Sequence, residues 1–299
     1  MAISYVLGIC VVPTAFAHDA ALHAKPISAI KQQPNRLPLS DGKISTMPRN
    51  GYVMACRSSF PGRGGAHRVG EWIDKTAGTW DLSGKPQVEG SVNWPNAAIT
   101  VTLEGNERVV RANNLPTHPS GQFPIRPGSK AFEYDRNPNS IKEQTVLLRL
   151  PAEPQAVAQP GCVPLGMIGF ALSGVAIFNA FDLAGRDAPV YEIQDSCNGH
   201  PERTGQYHYH DWSPCLAKDA SGKAYAHDDP VGWMLDGFPI LGPIGEGGKP
   251  ITNADLDECH GRVGNVRVDG QIKPMYHYRF TLAYPYTIGC FKGVPASIR

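Results

Sequence analysis

Apolar and polar positions alternate with a period of two in several short stretches of this chain. Val88-Glu89-Gly90-Ser91-Val92-Asn93-Trp94 and Ile99-Thr100-Val101-Thr102-Leu103 carry the pattern of half-buried β-strands. Val109-Val110 and Thr145-Val146-Leu147-Leu148-Arg149-Leu150 predict two more. Between them, residues 113–139 are rich in Pro, Gly, Ser and Asn and read as a long irregular loop. Four prolines between Pro151 and Pro164 suggest a domain boundary, or a crossover within one sandwich. Gly 32 and Pro 27 make about a fifth of the 299 residues, which favours turns over long helices. The expected fold class is all-β with irregular loops. Residues 1–17 read as a signal peptide, 18–49 as a flexible polar arm, 50–155 as an N-terminal β region and 156–299 as a second unit.

The second unit contains an internal repeat, spanning about 166–215 and 229–290. Gly169-Phe170-Ala171-Leu172-Ser173-Gly174-Val175-Ala176-Ile177-Phe178 aligns with Gly232-Trp233-Met234-Leu235-Asp236-Gly237-Phe238-Pro239-Ile240-Leu241. Asp195-Ser196-Cys197-Asn198-Gly199-His200 aligns with Asp257-Glu258-Cys259-His260-Gly261-Arg262. Tyr207-His208-Tyr209-His210 precedes Cys215 as Tyr276-His277-Tyr278-Arg279 precedes Cys290. Each copy is expected to contain a hairpin turning at its glycine, a Cys-x-Gly turn and a Tyr-His-Tyr strand.

Charge and cysteine content narrow the setting. A net charge of +1 with 18% charged residues points to neither nucleic acid nor an anionic membrane surface. The apolar run from Ile3 to Phe16 ends in Ala15-Phe16-Ala17, the small-x-small pattern of signal cleavage, and is too short for a membrane span. Cys10 falls within it. Cys56, Cys162, Cys197, Cys215, Cys259 and Cys290 remain, an even number without a Cys-x-x-Cys pair. Three disulfides in a secreted or periplasmic protein are expected. Six cysteines allow 15 pairings; two in each repeat make Cys197–Cys215 and Cys259–Cys290 the local bridges and leave Cys56–Cys162.

The blocks Asp195-x-Cys197-x-Gly199-His200, Tyr207-His208-Tyr209-His210, Leu235-Asp236-Gly237-Phe238-Pro239-Ile240-Leu241-Gly242-Pro243 and Leu256-Asp257-Glu258-Cys259 resemble the YHYH domain family over roughly residues 148–293. That family is named for its tetrapeptide and occurs in secreted proteins. The resemblance implies organisation but no defined activity. Arg279 departs from the His that more often ends the second motif, and Ser173 from a small amide.

Along a strand, Tyr207 and Tyr209 share one face, His208 and His210 the other. Two imidazoles so placed can converge on one metal ion; the opposite expectation is solvated histidines over packed tyrosines. His200 lies eight residues before His208, and the Cys-x-Gly turn would carry it back over the strand. Polar groups in one copy often face different residues in the other: His200 against Arg262, His210 against Arg279, Asp236 against Ser173, His227 against Pro164. The predicted ligands are therefore His200, His208 and His210, with Asp236 or His227 as a fourth or supporting group, and then His277 and His260. Oxidised cysteines leave nitrogen and oxygen donors, which suit zinc or copper.

An open coordination position, with Asp236 or Asp195 as general base, would make a metal-dependent hydrolase. No His-Glu-x-x-His, P-loop or Gly-x-Ser-x-Gly motif supports a particular hydrolytic class. His18, exposed by cleavage after Ala17, could chelate copper through its amine and ring. The rival expectation is a non-catalytic module in which the Tyr-His-Tyr strands only pack, with Trp72, Trp80 and Trp94 as core residues or a glycan- or partner-binding surface.

Overall fold

The computed structural model describes residues 36–62 and 64–298. The expected leader, Cys10 and His18 lie outside the described residues. The N-terminal part contributes β1 (Arg36–Pro38), β2 (Ile44–Ser45), β3 (Val53–Met54), β4 (Ile73–Asp74), β5 (Thr79–Asp81), β6 (Ile99–Glu104), β7 (Glu107–Ala112) and β8 (Val146–Pro151). The second part contributes β9 (Met167–Ala171), β10 (Ala176–Phe178), a one-turn helix α1 (Ala188–Tyr191), β11 (Gly199–Pro201), β12 (Tyr207–Tyr209), β13 (Pro230–Met234), β14 (Pro239–Leu241), β15 (Gly261–Val268) and β16 (Gln271–Arg279). The chain is all-β.

Strands β6, β7 and β8 form an antiparallel sheet in chain order. Alternation decides which face of β8 is inside. Leu148 and Leu150 are buried, Leu147 is exposed, and each inward leucine contributes about 2 kcal/mol by leaving water. The same alternation misleads at residues 88–94. That segment makes only two isolated bridges, Val88 to Asp195 and Val92 to Ser120, because Gly90 turns the backbone at φ +115° between them. Part of the segment expected as an arm, residues 36–49, supplies β1 and β2. Leu37 of β1 is buried opposite Trp80 of β5. Trp72 and Trp80 are both core residues, the first of the two alternatives and not a binding surface; Trp94 is half-buried and donates to Ser120 Oγ (3.0 Å).

The repeat builds a single eight-stranded sheet of order β11-β12-β10-β9-β13-β14-β16-β15. Its centre is the antiparallel pair β9/β13, where Phe170 lies opposite Trp233. Outward from that centre the copies match strand for strand. Ile177 pairs with Tyr209 in parallel β10/β12, and Ile240 with Tyr278 in parallel β14/β16. β11 and β15 close the two edges antiparallel to β12 and β16. The two units are thus related by a local twofold through the sheet centre. Gly174 and Gly237 turn the two hairpins at φ +83° and +85°. At each the close neighbour is a backbone oxygen, of Leu115 and of Pro151, so a side chain is excluded twice over.

One hydrophobic core includes Val110, Leu148 and Leu150 of the N-terminal sheet together with Phe170, Ile177, Tyr209, Ile240 and Tyr278 of the repeat. Arg108 of β7 locks the two together: its guanidinium stacks 3.8 Å over Trp233 and pairs with Asp269 at 2.9 Å through both nitrogens. Disulfides join Cys56–Cys162, Cys197–Cys215 and Cys259–Cys290, the pairs that follow from two cysteines in each repeat. Among the described residues no helix is long and apolar enough to cross a membrane.

Candidate functional site

The YHYH strand is covered on both faces. Tyr207, His208, Tyr209 and His210 are all 4% exposed or less, so burial excludes a solvated histidine face. On the tyrosine side, the Tyr207 hydroxyl donates to both Asp195 oxygens (3.0 and 2.8 Å). The same carboxylate accepts from the backbone N–H of Gly121 (2.7 Å), Cys197 (2.9 Å) and Gly199 (3.1 Å). With its lone pairs engaged, Asp195 is a structural hub and not the general base considered above. Tyr209 meets Ser173 Oγ (3.1 Å) and His118 Nε2 through its hydroxyl. His118 also lies near Cys197 and Cys215, but those sulfurs are spent in a disulfide and offer no thiolate.

On the opposite side three imidazoles converge. β11 pairs with β12 so that His200 stands directly across from His208, and His210 follows two residues on. One nitrogen of each lies within 4.8 Å of the others. His208 Nε2 and His210 Nε2 are 3.1 Å apart. Both rings are fixed from behind. His208 Nδ1 meets the carbonyl of Gln206 (3.0 Å), and Phe178 stacks on its ring at 3.8 Å. His210 Nδ1 meets the carbonyl of Asn179. With Nδ1–H given to a carbonyl, each neutral ring turns its Nε2 lone pair toward the common point. Neither nitrogen of His200 has a hydrogen-bond partner.

A carboxylate completes the group. Glu192 Oε2 lies 3.2 Å from His210 Nε2 and 3.6 Å from His200 Nε2. Glu192 caps the C-terminal end of α1, its N–H bonded to the carbonyl of Ala188 (2.9 Å), so this short helix sets the position of the acid. Sequence reasoning missed Glu192. The signal was present: counting back from the Asp of each Cys-x-Gly turn, Glu192 aligns with Ala254, the kind of polar difference that singled out His200.

The electrostatics follow from burial. Desolvation, then the neighbouring imidazoles, hold His200 and His208 well below the usual histidine range. Desolvation also lowers His210, but the hydrogen bond and charge of Glu192 outweigh it and raise the group overall. Lys85 is half-buried nearby, donating to the Pro189 carbonyl and Gln194 Oε1. Burial pushes it down to about 8 despite the charges of Asp211 and Glu192. Asp211 is raised by burial to about 7, with Lys85 and His210 opposing.

The remaining predicted ligands lie elsewhere. Asp236 belongs to the second repeat and accepts from Tyr278 Oη (2.6 Å), Gly293 N (3.0 Å) and Phe238 N (3.3 Å); the polar group that faces Ser173 serves a tyrosine, as Ser173 does. His227 is half-exposed before β13 and outside the converging group. His277 occupies the place of His208 in the second copy, beside Arg262 and Arg279. His260 bonds Thr281 Oγ1 at 2.9 Å.

No curated protein and no solved structure matches the chain. A family model described as YHYH protein matches residues 148–248. The matched span runs from β8 through the whole first repeat, with its three histidines and Glu192, to the turn after β14; β15 and β16 lie beyond it. The match supports the resemblance to the YHYH family over residues 148–248, about a third of the chain.

Proposed function

We propose that the first repeat binds a divalent transition-metal ion between His200, His208, His210 and Glu192, zinc in first place and copper in second, in a metal-handling protein outside the cytoplasm. One observation carries this reading. Donors bound tetrahedrally at about 2.0–2.1 Å from zinc are separated by about 3.3 Å. The three short separations here, 3.1, 3.2 and 3.6 Å, are edges of that size. Lone pairs of two neutral imidazoles and a carboxylate oxygen aimed at one point repel each other unless a cation lies between them. The backbone carbonyls behind His208 and His210 are the usual supports of ligating imidazoles. Near-complete burial favours a retained ion over one open to substrate, and this weighs against the hydrolase alternative. Three disulfides support an oxidising compartment.

The structural alternative rests on the raised affinity of His210 for a proton. An imidazolium at His210, paired with Glu192 and donating to His208, would also satisfy the cluster. Metal content by plasma mass spectrometry separates the two, using exported protein and a His208→Ala/His210→Ala variant. Near-stoichiometric zinc or copper that disappears in the variant, with the fold intact by circular dichroism, is expected. Glu192→Gln is expected to weaken binding by about 10–100-fold. Wild type that stays metal-free after zinc and copper challenge would leave the protonated, structural cluster.

A further inference from the structure

The second repeat carries a different chemistry at the place where the first gathers its histidines. His208 becomes His277, His200 becomes Arg262 and His210 becomes Arg279, while the position of Glu192 holds Ala254. A carboxylate and two imidazoles are exchanged for a methyl group and two guanidiniums. Arg262 stands directly across from His277 on the β15/β16 ladder, and Arg279 follows His277 by two residues. All three side chains therefore leave the same face of the sheet.

Two of these groups are almost wholly buried, and the satisfaction of all three is incomplete. His277 and Arg279 are 0% and 1% exposed. His277 Nε2, Arg279 Nε and Arg262 Nε are buried without any hydrogen-bond partner. Arg279 is not loosely placed, since its Nη1 donates to the carbonyls of Gly242 (3.1 Å) and Ile244 (3.3 Å). The acidic groups whose charge reaches these arginines are engaged elsewhere. Asp228 pairs with Arg267 at 3.1 Å, and Asp255 accepts from the backbone N–H and hydroxyl of Thr252 (2.9 and 2.8 Å). Among the described residues neither Arg262 nor Arg279 has a carboxylate within ion-pair distance. Burial, then the charge of Arg262, brings Arg279 down to about 10, so it remains cationic at neutral pH.

A buried guanidinium beside a half-buried one is costly without a counter-charge, whereas an anion accepting from both would offset the cost. Access is available at the sheet edge. Arg262 is half-buried on edge strand β15, and two residues on Gly264 packs closely on the His277 ring: a Cβ there would stand 3.1 Å from His277 Cε1. We infer that Arg262, Arg279 and His277 form a binding site for a small oxyanion, the charge-inverted counterpart of the histidine cluster across the local twofold. The site shares no residue with the proposed metal centre and stands or falls separately from it.

The test is a titration of the full chain with inorganic phosphate, sulfate or acetate against chloride at constant ionic strength. It is followed through the Nε–H resonances of Arg262 and Arg279. A saturable shift of both with an oxyanion and not with chloride is expected, together with a rise in the unfolding temperature. Phosphate and sulfate without acetate would identify a tetrahedral ligand; acetate as well would extend the site to carboxylates. Arg262→Gln, at a half-buried edge position, is expected to weaken binding about tenfold or more. The inference is overturned if neither resonance responds to any oxyanion more than to chloride, a result read on wild type and independent of any variant's folding. It is equally overturned if folded Arg262→Gln binds as tightly as the parent.

Discussion

Asn198 and His260 hold the same place in the two Cys-x-Gly turns, and both adopt positive φ, 56° and 71°. Asparagine and histidine both tolerate this region better than most residues, so the two copies meet the turn's demand alike and differ in the ionisable group that the second buries. Burial draws His260 down to about 3, from an ordinary value of 6.5. Because the folded-state value is depressed, the unfolded chain binds the extra proton first as pH falls. The contribution of His260 to stability is complete above about 6.5 and is lost progressively toward pH 3. His260→Asn removes one such proton uptake while giving up the 2.9 Å contact to Thr281, worth about 1 kcal/mol. Urea midpoints measured across that pH range are expected to fall less steeply in the variant, with neutral-pH stability within about 1 kcal/mol of wild type. An unchanged slope would mean that His260 is not held neutral. At this scale the residue types at His200, His208 and His210 were legible, because strand alternation and one short turn determine their meeting. Glu192 was not: its position depends on the helical turn that precedes it.

Each Cys-x-Gly turn brings its strand against a tyrosine, and the fit leaves no space for a side chain. A Cβ at Gly199 would stand 2.2 Å from Tyr207 Cζ, and one at Gly261 the same distance from the Tyr276 hydroxyl. The tyrosines reach past these glycines to Asp195 and Asp257, so the edge pair β11/β12 and its counterpart β15/β16 close only over glycine. Gly199→Ala is expected to cost about 3 kcal/mol or more, from overpacking and a strained tyrosine–carboxylate bond. Gly105→Ala is the contrast. That glycine turns β6 into β7 at φ +61° with nothing within 4 Å of its Cβ direction, and its cost should stay near about 1–2 kcal/mol. Chemical denaturation of the two variants checks the order; equal losses would show that the tyrosine moves aside freely. Sequence patterns located β6, β7, β8 and both hairpins. They overcalled residues 88–94, where an alternating pattern reflects two separate bridges on either side of Gly90.

The whole molecule is held by disulfides of very different reach. Cys56–Cys162 spans 106 residues, whereas Cys197–Cys215 spans 18. Closing the longer loop removes more freedom from the unfolded chain, by about 1.5 kcal/mol on chain-entropy grounds. A Cys56→Ala/Cys162→Ala variant should therefore unfold at lower urea than a Cys197→Ala/Cys215→Ala variant, and the reverse order would place the stabilisation in native contacts instead. Long-range packing agrees with such coupling: Arg108, from the N-terminal sheet, is held between Trp233 and Asp269 of the second repeat.

By itself the sequence determined the β class, the duplicated unit, the cysteine pairs and the meeting of three histidines. All of these rest on short-range rules or on comparing one copy with the other: alternation, turn residues, equivalent positions. Tertiary structure decided what no local rule contains. It placed both copies in one sheet about a central β9/β13 pair and buried the histidine face as deeply as the tyrosine face. It also drew Glu192 to the histidines while sending Asp236 to Tyr278. Each of those outcomes depends on which strands become neighbours, and neighbours across a sheet are chosen by the packing of the whole core rather than by the residues beside them in the chain.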